Sequence, residues 1–83
     1  MLTIELMRSR ISALISPTHL EIIDDSHKHI GHTGNTGGGH FTLIISAEKL
    51  NGLSKLASHR LIYSAVNDLI PEKIHALAIK IKA

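Results

Sequence analysis

The 83-residue chain contains no cysteine and no tryptophan, and its only aromatic residues apart from histidine are Phe41 and Tyr63. Without a thiol there is no disulfide framework, no thiolate zinc site and no cysteine nucleophile. With so few aromatics the core has to be built from Leu, Ile and Ala. Long apolar runs are missing too: none approaches the ~20 residues of a membrane-crossing helix. The N-terminus has amphipathic periodicity in place of the apolar stretch and cleavage site of a signal peptide, so a cytoplasmic protein is expected. Charge of one sign is scarce, with a net +2 from 9 Lys+Arg and 7 Asp+Glu. That balance permits nucleic-acid binding without arguing for it. A chain of this size buries roughly 60–65% of the surface its unfolded form exposes, enough for one domain and one thin two-layer core. The expected domain is residues 1–83.

Histidine and glycine are what the chain has in abundance. The stretch from Asp24 to His40 holds His27, His29, His32 and His40, with Gly31, Gly34, Gly37, Gly38 and Gly39 among them. A run this rich in glycine reads as a mobile loop between two apolar segments. It is longer than a hairpin needs, and loops of that length are usually functional or disordered. Histidine is both a common metal ligand and the side chain that titrates near neutrality. A further histidine, His75, opens an apolar strand-like run. The loop and His75 are expected to form one site, held in place by the rest of the chain.

Ile4, Met7, Ile11, Leu14 and Ile15 fall three and four apart, which predicts an amphipathic helix capped by Thr3 and ended at Ser16–Pro17. His19 to Asp24 reads as a strand with Leu20 and Ile22 on one face. A second strand follows the loop, with Phe41, Leu43 and Ile45 on one face, paired antiparallel with the first. Ala47 to Leu50 predicts a short helical turn stopped at Asn51–Gly52. A longer helix then starts near Ser54 and carries Leu56, His59, Ile62, Tyr63, Val66, Leu69 and Ile70 along one stripe. Pro71 ends it, with a separate last turn at 67–70. The closing strand runs from Ile74 to Lys82, with His75, Leu77, Ile79 and Ile81 sharing one parity. The order is α-β-β-α-α-β, and a strand–helix–strand crossover brings the last strand in parallel to its neighbour. The expectation is an α+β domain: a mixed three-stranded sheet with helices on one face.

Read by themselves, the histidines have ordinary explanations. His75 can be a partly buried strand residue bonded to backbone, and the loop histidines can be solvated. The spacing His27-x-His29-x-x-His32 could chelate Zn²⁺ or Ni²⁺, but nothing in the sequence shows a scaffold that would fix it. His40 reads as a structural hydrogen-bonding group, and His59 as packed between Leu56 and Ile62. Catalysis has little support. Asp24 and Asp25 are adjacent on an extended segment and point to opposite faces. Ser26 beside His27 has no third triad member. A non-enzyme is expected.

The segments Asp24-Asp25-Ser26-His27-Lys28-His29, Gly39-His40-Phe41, Leu50-Asn51-Gly52-Leu53-Ser54, His59-Arg60-Leu61-Ile62-Tyr63 and Ile74-His75-Ala76-Leu77-Ala78-Ile79 together resemble the BolA family. The resemblance covers nearly the whole chain, in order. It implies a fold similar to a class II KH domain, in agreement with the element order read above. It also implies a partner, a monothiol glutaredoxin, with which such proteins share a bridged 2Fe-2S cluster completed by glutathione. The ligands it implies are His75 and a loop residue, His29 by alignment, with His27 and His32 as alternatives. No cluster is expected in the isolated chain, which should be a monomer or weak homodimer. A different activity of the family is DNA binding in stress-response regulation. KH domains grip nucleic acid through a Gly-x-x-Gly loop. The matching stretch here, Gly52-Leu53-Ser54-Lys55, keeps the first glycine and has lysine for the second. Gly52, Lys55 and Arg60 are the corresponding contact residues.

Overall fold

In the computed structural model, residues 2–26 and 39–82 are described. The first helix, α1, spans Thr3–Ile15 and buries Met7, Ile11 and Ile15, three residues spaced by four. Thr3 is its first helical residue and not the cap. The capping position falls on Leu2, whose N–H donates to the Glu5 carboxylate at 3.3 Å. At the other end Ser16 turns into the left-handed region, φ 52°, immediately before Pro17. The Lys49 ammonium donates to the Leu14 carbonyl at 2.7 Å. That places a positive charge at the negative end of the helix dipole.

Strand β1, His19–Asp24, pairs antiparallel with β2, Gly39–Ser46, and β2 pairs parallel with β3, Ile74–Ile81. The sheet order is β1-β2-β3, so the strand with a neighbour on each side is β2. Its burial alternates strictly: Phe41, Leu43 and Ile45 are buried while Thr42, Ile44 and Ser46 are half-exposed. This is the signature of a sheet covered on one face only. The covering layer is α1 and α2, the latter spanning Lys55–Val66. Met7, Ile11, Ile15, Ile62 and Val66 join the inward row of β2 in one core.

Between β2 and α2 lies a one-turn 3₁₀ helix, Glu48–Leu50, followed by Gly52 at φ 87°. Ser54 caps α2 by accepting from the Ala57 N–H at 3.1 Å. A second 3₁₀ turn, Asn67–Leu69, closes the helix before Pro71. One expected core residue lies elsewhere. Leu56, in the first turn of α2, is 61% exposed, and the buried position of that turn is Ser58 at 2%. The apolar stripe therefore begins only at Ile62. Among the described residues no helix is long and apolar enough to cross a membrane.

Candidate functional site

The start of β3 departs from regular pairing. Gly39 aligns with Ile74, but His40 aligns with Ala76, so His75 is an extra residue on β3. A bulge of this kind re-aims side chains and breaks the two-residue period. Ile74 is fully buried, His75 and Ala76 are both exposed, and the inward row resumes at Leu77. The expected shared parity of His75 with Leu77, Ile79 and Ile81 is thus broken at its first member. A histidine that alternation counted back from Leu77 would press against the helices stands in solvent, outward of the buried Ile74.

His40 belongs to the half-exposed row of β2, on the face the helices leave open. Its ring lies beside that of His75, with centroids 5.1 Å apart and planes inclined by 46°. The backbone around His40 is held from several sides. Its N–H donates to Ser26 Oγ at 3.0 Å, and its carbonyl accepts from the Asp25 N–H at 2.7 Å. Ser26 N–H in turn donates to Asp24 Oδ1 at 2.9 Å. The Thr42 hydroxyl donates to the Asp25 carboxylate. The Gly39 N–H donates to the Lys73 carbonyl at 3.1 Å, which ties the entry of β2 to the entry of β3. The expectation that His40 is a structural hydrogen-bonding residue holds for its backbone. Its ring has a second neighbour, His75, that spacing could not show.

The loop histidines His27, His29 and His32 lie outside the described residues. Among the described residues no group of three or more His, Cys, Asp or Glu side chains is arranged to hold a metal ion. Among the described residues, His40 and His75 bring two imidazoles side by side.

A second place of interest lies at the other end of β3. Leu50, Leu53, Lys55, Ser58, His59, Ile79, Lys80 and Ile81 line a cleft of about 520 Å³ between the first turns of α2 and the last residues of the strand. Its walls mix Leu50, Leu53, Ile79 and Ile81 with Ser58 and His59, its charged side chains are the two lysines, and among the described residues no carboxylate lines it. Among the described residues, His59 Nε2 is buried with no hydrogen-bond partner. Leaving such a group unpaired costs on the order of 1–3 kcal/mol. Gly52 sits in the exposed turn before α2. Arg60 is exposed one residue beyond His59 and is not part of the lining. Of the three contact residues expected from the sequence, only Lys55 enters the cleft. Lys80 joins it, a residue that the sequence alone reads equally well as solvated surface.

The comparisons with known proteins agree with this architecture. The family model for BolA-like proteins matches residues 11–83. SufE-like protein 1 of Arabidopsis thaliana, chloroplastic/mitochondrial, is 34% identical over 92% of this chain, which spans 22% of that longer protein. The solved BolA domain of SufE1 from the same plant superposes with a TM-score of 0.77 at 37% identity. That match covers 92% of this chain and 85% of the domain. The DNA-binding transcriptional regulator BolA of Escherichia coli K12 is 29% identical, over 90% of this chain and 70% of its own length. With the family model spanning most of the sequence and the fold shared with a solved BolA domain, this chain belongs to the BolA-like family.

Proposed function

We propose that this protein is a non-enzymatic adaptor that binds a monothiol glutaredoxin and contributes imidazole ligands to a 2Fe-2S cluster shared with that partner. The reading takes His75 as one ligand and a histidine of the 27–32 segment, His29 by alignment, as another. One observation carries it: the bulge at the start of β3 lifts His75 out of the core row and into solvent. An imidazole meant to reach a partner-held cluster has to be exposed, and here the fold breaks its own alternation to expose it. The donor set fits as well. A chain without cysteine cannot supply the four thiolates of an ordinary cluster, but two imidazoles on one iron occur in Rieske centres. The other iron would then be held by thiolates of the glutaredoxin and glutathione. A cytoplasmic setting belongs to the same proposal.

Anaerobic reconstitution with a monothiol glutaredoxin, iron, sulfide and glutathione tests it, followed by visible absorption and circular dichroism. A spectrum distinct from that of the glutaredoxin homodimer, and lost in His75→Ala, is the expected result. An unchanged homodimer spectrum would sink the reading.

Nucleic-acid binding has an observation of its own, the cleft with Lys55 and Lys80 and, among the described residues, no carboxylate in its lining. The Escherichia coli relative is named a DNA-binding regulator. Here, retention on DNA should fall steeply with salt as phosphate contacts are lost. It should survive His75→Ala and fail when Lys55 and Lys80 are both replaced by Gln. Equal retention of that double variant would remove the cleft from consideration. Arg60→Ala measures whether the exposed arginine beyond the cleft contributes.

A further inference from the structure

We infer that His40 and His75 form a two-imidazole chelate for a single divalent first-row metal ion, on the open face of the sheet. The inference needs neither the glutaredoxin nor the loop histidines, so it goes beyond the shared-cluster reading and can fail or stand apart from it. It starts from the 5.1 Å separation and 46° inclination of the two rings. That inclination is not a face-to-face stack. An imidazole nitrogen binds Zn²⁺ at about 2.0–2.1 Å, which puts the ring centroid roughly 3.2 Å from the ion. Two rings meeting at a tetrahedral angle then have centroids roughly 5.2 Å apart. The observed spacing is close to that of two imidazoles sharing one tetrahedral ion.

The chain geometry that produces this spacing is specific to one register. His40 aligns with Ala76, and the bulge leaves His75 as the extra residue beside it. In the register that runs from His40↔Ala76 to Ile45↔Ile81, regular alternation counted back from Leu77 would set His75 on the face opposite His40. Hydrogen bonds from the His40 N–H to Ser26 Oγ, from the Asp25 N–H to the His40 carbonyl and from the Gly39 N–H to the Lys73 carbonyl fix the strand entries that carry the rings. The metal class follows from the donors. Two nitrogen ligands suit Zn²⁺, Ni²⁺ or Cu²⁺ in preference to the oxygen-seeking Mg²⁺ and Ca²⁺. Among the described residues the pair supplies two donors, and in the proposed chelate the remaining positions go to water or to an incoming ligand. The site is therefore an open one, of modest affinity, and suited to accepting a donor from a partner.

The test uses the full chain without an affinity tag, titrated with ZnCl₂ alone. Isothermal titration gives affinity and stoichiometry, and long-range ¹H–¹⁵N spectra of the imidazoles report which rings respond. One equivalent of Zn²⁺ is expected to shift the ring nitrogens of His40 and His75 together. The triple variant H27A/H29A/H32A should keep the Kd within about threefold, while His75→Ala and His40→Ala each weaken it about tenfold or more. Circular dichroism checks that each variant is folded. Should His40→Ala unfold, His40→Asn and the ring spectra of the unmodified chain decide the matter. Loss of binding in the triple loop variant, or Zn²⁺ shifts that bypass either His40 or His75, would overturn the inference.

Discussion

Gly39 sits where a methyl group has no room. A Cβ at this position would stand 2.5 Å from Cε2 and 2.6 Å from Cζ of Phe41, and 3.2 Å from Ser26 Oγ. Phe41 is 6% exposed and part of the core, so its ring cannot swing clear without disturbing its neighbours. Overpacking of this kind costs about 1–3 kcal/mol. Gly39→Ala should therefore lower stability by that amount in urea denaturation, with little change in m-value. At the neighbouring positions the limits of sequence reading are plain. His75 was legible as a residue of interest because it opens an apolar run in a chain without thiols. Its exposure was not legible, because a bulge is decided by pairing between strands far apart in sequence. The same bulge brings it beside His40, which alternation alone assigns to the opposite face.

At the scale of elements, the helices and strands were largely readable because each has a clean period or a strong punctuation mark. The strand His19–Asp24 matches its expected limits, and Phe41, Leu43 and Ile45 form the expected inward row. Leu56 shows where the helical period misleads. It falls on the expected stripe with Ile62 and Val66, yet in the first turn of α2 the buried position is Ser58 and Leu56 is left to solvent. The first turn, which buries a serine and no large apolar side chain, is held also by its cap. Removing the Ser54 hydroxyl, which accepts from the Ala57 N–H, should cost about 0.5–2 kcal/mol in Ser54→Ala. Ser54→Asp should restore most of the loss, and Leu56→Ala should cost less than Ser54→Ala. Urea melts of the three variants check that order. A larger loss at Leu56 would mean that the exposed leucine packs against something in solution.

At the scale of the whole molecule, a few polar ties join elements distant in sequence. Tyr63 Oη donates to the Leu77 carbonyl at 2.9 Å and so links α2 to β3. Arg10 of α1 pairs with Asp68 in the turn after α2. The Arg10 guanidinium, by hydrogen bond and charge, holds the Asp68 carboxyl below its ordinary value of 3.8. For a carboxylate whose pKa is depressed on folding, the pair's stabilisation is present above the unfolded value and lost as pH falls through the lower folded one. The melting-temperature gap between the native chain and Asp68→Asn should therefore be small at neutral pH and close as pH drops below 3.8. It should also shrink in ~1 M salt, where charges are screened within about 3 Å.

The two candidate sites lie toward opposite ends of β3, the imidazole pair at His75 and the lysine-lined cleft at Ile79–Ile81. At about 3.3 Å per residue, His75 and Lys80 are roughly 16 Å apart along the strand. Sites that far apart with no shared partner couple by no more than about 0.3–0.5 kcal/mol. The Zn²⁺ affinity should accordingly be the same in K55Q/K80Q as in the native chain. DNA retention at fixed salt should likewise be the same with and without His75. Measuring each activity in both variants gives a four-way comparison. Independence would mean that one small domain carries two separable surfaces, so that a partner on the histidine face leaves the basic cleft free. Strong coupling, with Zn²⁺ altering DNA retention several-fold through unmodified lysines, would mean that β3 transmits between them. The bulge at His75 would then be the element to examine, since it is the described irregularity in the strand they share.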